Sequence, residues 1–374
     1  MITGGMGGAR PGDHGEEWVG WERAWAGALY GTGGFYRRPE GPAGHFRTAA
    51  HAAGAELAAA VRRLASDHGC SAIVDVGAGR GELLHALATA NDAVVPPAGR
   101  RPDQAAGQLT SRRPERAVGE RTGRRPDRAV GGRFRLHGVD IVSRPPGLPT
   151  DVGWSTGLAE PPGLTEPPGL TEPPGPGSLR DEDLRGALVI GWELLDVVPG
   201  PILELDGDGV PRLVLVHPAT GRERLGDPAG PAELAWLRRW WPVDVDQGSG
   251  EGDRIEVGAG RDELWATLVA RAARAGAKAL LAVDYAHLRS DRPKLGSLTG
   301  FRAGRAVPPR PDGSMDLTTH VAIDAVAAAG LAAGAASSRL SEQHVELRAL
   351  GARAAELLDP GALGGFSWLL QTLS

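Results

Sequence analysis

The sequence predicts an α/β chain: a Rossmann-like, doubly wound, mostly parallel sheet of seven strands, with a small hairpin-containing cap. Three observations predict it. Short apolar runs alternate with stretches of helical periodicity along most of the 374 residues, the pattern of strands covered by helices on both faces. The first clean run, Ser71–Val76, opens into glycines at every second position and then into a helix. Acidic residues also recur at the ends of these runs, where ligands bind in open α/β sheets.

Taken in order, residues 44–66 are alanine-rich, with Leu57, Val61 and Leu64 at helical spacing. Ser71–Val76 reads as the first buried strand, and a helix follows from about Gly81 to Thr89. Arg135–Val142 is the second strand, with Asp140 near its carboxyl end, and Asp151–Thr156 is a short third. Ala187–Trp192 and Ala279–Asp284 are continuous apolar runs suited to strands buried on both faces. Between them, Ile202–Leu205 and Leu213–Val216 flank Asp206-Gly-Asp-Gly209, a hairpin signal. Residues 200–260 therefore read as a cap or substrate excursion. A helix near Asp262–Ala275 leads into the fifth strand. Val321–Ala329 reads as a helix that Asp316 or Thr318 can cap, and residues Ala335–Leu347 and Phe366–Leu373 supply the last strands.

The turn after the first strand carries the chemistry. Gly77, Gly79 and Gly81 allow a sharp bend and close approach of a ligand to the backbone, and the helix behind them presents free N–H groups. A dinucleotide fingerprint needs a third glycine where this chain has Glu82. Asp75, two residues before Gly77, repels a pyrophosphate and suits a cationic or amino-bearing ligand. That chemistry favours S-adenosylmethionine, whose methionine end carries an ammonium and whose sulfur is positive. Asp140, on the neighbouring strand, is placed to accept from ribose hydroxyls.

Other clusters also sit at strand ends. Glu193 and Asp196 are three residues apart after the fourth strand, close enough to share a face of a helical turn. They either orient a positively charged acceptor and take up its proton, or form an ordinary acidic first turn that Pro199 ends. His320 is a candidate general base, or an orienting structural group. Tyr30-Gly-Thr-Gly33-Gly34-Phe-Tyr36 is either a loop folded over a cofactor, with Tyr30, Gly33 and Gly34 contributing, or a surface turn packed by aromatics.

Composition bounds the rest. A hydrophobic share of 41% is ample for a core, and the net charge of −5 gives no field toward nucleic acid or an anionic membrane. One cysteine, Cys70, excludes an internal disulfide and speaks against a thiolate metal site. No apolar run reaches membrane-spanning length and no secretion leader is visible, so the expectation is a cytoplasmic protein. Residues 1–15 read as a disordered N-terminus and 16–374 as one domain with two low-complexity inserts. In the 96–133 insert, units begin at Arg100, Arg112 and Arg124; the segment lacks aromatics for stacking on nucleic acid. The 158–180 insert repeats Glu-Pro-Pro-Gly-Leu-Thr, an extended spacer.

The blocks, in order, resemble the MidA-type class I methyltransferases, relatives of the mitochondrial complex I assembly protein arginine methyltransferase. They are Tyr30–Tyr36, Gly44-His-Phe-Arg-Thr48, Val74–Leu83, Gly191-Trp-Glu-Leu-Leu-Asp-Val-Val-Pro199, Val283-Asp-Tyr285, Gly296–Phe301 and Asp316-Leu-Thr-Thr-His-Val321. The resemblance implies an enzyme binding S-adenosylmethionine through Asp75, Gly77, Gly79, Gly81 and Asp140, and, for some members, a protein arginine acceptor. Glu193 and Asp196 match the family's acidic pair. Trp192 stands where the family usually has Asn, and His45 where it usually has Asp; both bear on acceptor choice. Two other classes stay open: a non-catalytic assembly protein using the fold as a docking surface, and an NAD-dependent oxidoreductase, against which Glu82 counts.

Overall fold

In the computed structural model, residues 17–38, 49–92, 132–157, 178–241, 243 and 249–373 are described. The expected N-terminus 1–15, the Gly44–Thr48 block with His45, and most of both inserts lie outside the described residues. The central sheet comprises β1 (Ala72–Val76), β2 (Arg135–Asp140), β3 (Gly153–Thr156), β4 (Ala187–Trp192), β5 (Ala279–Asp284), β6 (Ser337–Glu342) and β7 (Ser367–Thr372). Its order is β6-β7-β5-β4-β1-β2-β3. The pairs from β3 through β5 are parallel, and β7 runs antiparallel to both β5 and β6.

Side chains alternate along each strand, so each face has its own core. Ile73, Leu188, Ile190, Leu281 and Val283 point to one face, covered by α2 (Ala49–Asp67) and α3 (Glu82–Asp92). Val74, Val76, Val189, Leu280 and Ala282 point to the other, covered by α6 (Ala259–Ala275) and α7 (Ile323–Ala332). Two-sided burial is why these strands read as unbroken apolar runs. The chain leaves β1 toward β2 and β3, then crosses back to β4 on β1's other side. Between β1 and β4 lies the switch point at which such sheets bind ligands.

Between β4 and β5 the chain builds a second, antiparallel sheet. Ile202–Leu205 pairs with Pro211–Val216 and with Arg254–Glu256. Asp206 closes the hairpin by accepting from the N–H groups of Asp208 and Val210 (3.0 and 2.9 Å). Val19–Gly20, just ahead of α1 (Trp21–Tyr30), joins the same sheet. Trp25, Leu29 and Phe35 pack with Ile202 and Leu317, which fixes the N-terminal segment over the strand ends.

Three boundaries differ from the sequence reading. The first helix of the site runs to Asp92, past Thr89. Residues 343–349 form α8, not a continued strand; Gln343 donates from its buried amide to the Leu363 carbonyl and fixes that corner (2.8 Å). Asp316 and Thr318 do not cap α7. They lie on a strand, Asp316–Thr318, and Val321–Ala322 pairs with Ala286–His287, which holds the chain extended until Ile323.

One buried polar group locks α6, α7 and the sheet together. Gln371, fully buried on β7, accepts from Trp265 Nε1 (2.9 Å) and donates to the Ala327 carbonyl (2.8 Å). Gln371→Ala strands the buried Trp265 N–H and removes a second bond to the Ala327 carbonyl, so we expect a loss of about 1–3 kcal/mol in urea unfolding. A loss below about 1 kcal/mol would show that water replaces the amide.

Candidate functional site

The turn after β1 is built around backbone geometry that only glycine adopts freely. Gly77, Gly79 and Gly81 have φ of +76°, +57° and +76°. The N–H groups of Gly77 and Ala78 both donate to the Val139 carbonyl (2.9 and 3.1 Å), pinning the turn to β2. An added Cβ at Gly77 would sit 3.0 Å from Leu194 Cδ1, on the turn after β4. At Gly79 the nearest atom would be 3.7 Å away, leaving that side of the turn open. Asp140 accepts from the Gly79 N–H (2.8 Å) and the Val142 N–H (3.3 Å), so the acid that ends β2 also shapes the glycine turn.

The turn after β4 is strained. Glu193 has φ of +53°, a region that costs a non-glycine residue roughly 1–3 kcal/mol and clusters at functional sites. Its N–H donates to the Val283 carbonyl (2.8 Å), which extends the β4–β5 ladder by one bond. Beyond it, Asp284 at the end of β5 accepts from the N–H groups of Leu195 and Asp196 (3.2 and 3.3 Å). The Thr319 N–H donates to the Asp196 carbonyl (3.0 Å) and brings in the third loop. Glu193 and Asp196 thus come together on a turn, not on a regular helix.

The N-terminal aromatics reach the same place. Tyr30 donates to the Val197 carbonyl (2.8 Å), and Tyr36 donates to the Asp316 carboxylate (3.0 Å). The two rings stack with centroids 5.7 Å apart. Gly33 and Gly34 are not gathered here; they line a separate outer cleft of about 300 Å³ beside α1 and Asp312. Gly34 answers to packing, since a Cβ there would fall 2.6 Å from the Leu29 carbonyl oxygen. His320 is exposed, and partial burial holds its ring below the usual histidine range. It lies nearly parallel to Tyr285 (5.7 Å, 14°) and has no hydrogen bond to either acid.

The result is a cluster of carboxyl groups short of donors. Asp196 is 3% exposed and its Oδ1 has no partner; Glu193 is half-buried, and its Oε1 is likewise buried without one. Burial is the main force raising these acids; repulsion from neighbouring acids adds to it at Asp75 and Glu193, whereas Arg261 and a hydrogen bond with Asp284 hold Asp196 down. Asp75 and Glu193 are each pushed to about 8, Asp140 and Asp196 to about 6. Asp284 is raised well above its ordinary value, by burial first and by Asp196 second. Asp316 is pushed to about 8 despite the Tyr36 hydrogen bond. One buried cation offsets the cluster: Arg261, which donates to the Val198 carbonyl (2.9 Å). Asp284, Asp316, Tyr36 and Arg261 were not among the residues the sequence marked for the site.

These shifts fix the sign of a stability effect. Each folded value lies above the unfolded carboxyl value near ~4, so the folded chain binds extra protons. The associated stability is fully present below pH ~4 and is lost as pH rises through about 6 to 8. We expect the melting temperature of the ligand-free protein to fall between about pH 5 and about pH 8 in scanning calorimetry. A flat or rising curve would mean that these acids are already paired.

Residues 178–341, from α4 (Asp181–Leu184) to β6, match the family model described as "Putative S-adenosyl-L-methionine-dependent methyltransferase". The matched segment carries the pattern of an S-adenosylmethionine-dependent methyltransferase. The chain is also similar in fold to a COG1565 superfamily member from Burkholderia thailandensis bound to S-adenosyl-homocysteine. The TM-score is 0.65 at 20% identity, over 95% of this chain and 88% of that one. A native structure of an uncharacterized COG1565 superfamily protein from the same organism gives a TM-score of 0.64 at 20% identity, over 95% and 87%. None of the curated proteins matches the chain. Both structural likenesses speak to the fold: mixed α/β with a mostly parallel central sheet. Among the described residues, no helix of the chain is long and apolar enough to cross a membrane.

The cluster fits the cofactor of that family. An ammonium, a sulfonium and two ribose hydroxyls bring positive charge and donors to Asp75 and Asp140, whose charged forms burial disfavours until such a partner arrives. The open side of Gly79 leaves room for a ligand against the backbone.

Proposed function

We propose that this chain acts as a methyltransferase on an arginine side chain of a protein acceptor, as a MidA-type enzyme. One observation carries the reading: two buried carboxyl oxygens without partners, Asp196 Oδ1 and Glu193 Oε1, on a single strained turn at the switch point. A guanidinium offers several N–H donors in a planar fork and a permanent positive charge, which meets two such oxygens better than an ammonium does.

When bound, S-adenosylmethionine supplies a methyl group already activated on a positive sulfur. The chain's own residues supply place and proton handling. Asp75 and the Gly77–Gly81 turn hold the amino-acid end, and Asp140 holds the ribose. Glu193 and Asp196 fix the guanidinium so that one nitrogen faces the methyl. Glu193, with its carboxyl raised to about 8, is suited to take the proton that nitrogen releases. Tyr30 and Tyr36 close the pocket from the N-terminal side and limit water.

Two measurements test this. Calorimetry should show binding of S-adenosylmethionine and S-adenosylhomocysteine but not of NAD. Radiolabelled transfer into a lysate, followed by hydrolysis, should return the label as methylarginine. Label only in other residues or in small molecules would overturn the acceptor assignment and leave the cofactor untouched.

A further inference from the structure

We propose that Tyr285 and His320 form the outer wall of the acceptor pocket, against which a planar guanidinium stacks while its N–H groups meet Asp196 and Glu193. The proposal deepens the acceptor reading above and rests on it.

Both rings are placed by the contacts that shape the acid turn. Tyr285 directly follows Asp284, whose carboxyl holds the Leu195 and Asp196 amides. His320 directly follows Thr319, whose N–H donates to the Asp196 carbonyl. The Val321 N–H donates to the Tyr285 carbonyl (2.8 Å), so the two loops are joined at the base of the wall. Phe366 supports Tyr285 from behind, with ring centroids 4.1 Å apart.

The wall has an open surface that the core does not explain. Tyr285 is 39% exposed although it borders fully buried Asp284. The centroid separation of 5.7 Å at 14° describes displaced rings, which leave part of each face uncovered. Its hydroxyl is pushed up to about 12, by burial first and then by the charges of Glu193 and Asp196, so this ring and the two acids share one neighbourhood. An aromatic face next to carboxylates selects for a cation that is also flat, because stacking and ion pairing then act on the same group. Asp196 Oδ1, unpartnered in a residue 3% exposed, is the group that such a ligand would satisfy.

The test uses the full chain loaded with S-adenosylhomocysteine, titrated with a glycine–arginine repeat peptide and with the same peptide carrying citrulline, which is flat but neutral. We expect the arginine peptide to bind at least about tenfold tighter than the citrulline peptide, and Tyr285→Ala to weaken it by about tenfold. Tyr285→Phe should keep most of the affinity, since the ring face remains, and His320→Ala should lose an intermediate part. Affinity for S-adenosylhomocysteine should stay unchanged in all three variants, which shows that they are folded. Equal binding of the two peptides, no binding of either, or an unaffected Tyr285→Ala would overturn the proposal. Failure of the wild type to bind S-adenosylhomocysteine would instead strike at the cofactor site.

Discussion

Gly77→Val should abolish measurable binding of S-adenosylhomocysteine while leaving a folded protein. Valine must adopt φ near +76°, which costs an ordinary side chain roughly 1–2 kcal/mol and a β-branched one more. Its Cβ would also press on Leu194 Cδ1 at 3.0 Å. The cheapest relief is a flip of the turn, which breaks the bonds from Gly77 and Ala78 to the Val139 carbonyl. That flip also removes the Gly79 N–H from Asp140, so the proposed cradle and the acid proposed for the ribose fail together. Gly79→Ala is the informative partner. There the added methyl meets nothing closer than 3.7 Å, so the stability cost is the left-handed backbone alone, about 1 kcal/mol. Loss of affinity in Gly79→Ala beyond that cost would report a ligand lying against the turn. Calorimetry with S-adenosylhomocysteine, run beside thermal melts, separates the two contributions. If Gly77→Val bound the ligand as tightly as the wild type, the turn after β1 would not be the cofactor cradle.

The sheet was legible because its strands obey local rules. Ala72–Val76, Ala187–Trp192 and Ala279–Asp284 are buried on both faces, so burial shows as uninterrupted apolar sequence. The glycine turn was legible because positive φ leaves a compositional mark at alternate positions. The acids Asp75, Asp140, Glu193 and Asp196 could be found because a strand's carboxyl end can be read from one segment alone.

Asp316 could not, because its role depends on a partner far along the chain. Its carboxylate is buried by Tyr36, which comes from the N-terminal segment, and nothing near Asp316 in sequence announces that meeting. Asp284 was visible only as part of a short block; its grip on the Leu195 and Asp196 amides exists only once β4 and β5 are paired. Gly34 shows the opposite case: a glycine next to aromatics suggests a ligand, but its close approach is to the carbonyl of Leu29, while Gly33 has open space and a positive φ. Local chemistry reads through sequence, and a closing network of long-range polar contacts does not.

Binding of a guanidinium to the acid pair should release protons, and this ties the chemistry to pH with a definite sign. In the free pocket Glu193 is raised to about 8 and Asp196 to about 6, so at neutral pH Glu193 is mostly neutral. A cation beside it favours the charged form, so binding must expel that proton, and affinity must rise with pH until about 8. Calorimetry of the arginine peptide in buffers of different ionisation enthalpy should count up to roughly one proton released at pH 7. Asp196→Asn should slow methyl transfer by about 10²-fold or more, and Glu193→Gln should both slow it and flatten the pH profile. Glu193→Gln should not destabilise the protein, because it removes repulsion among buried acids; its melting temperature above pH 7 should hold or rise. Glu193→Gly sharpens the contrast, since it relieves the strain at φ +53° by about 1 kcal/mol. A more stable, inactive Glu193→Gly variant is what a turn kept strained for chemistry requires. An active one would mean that the strain serves the fold and that the acceptor's proton leaves by another group.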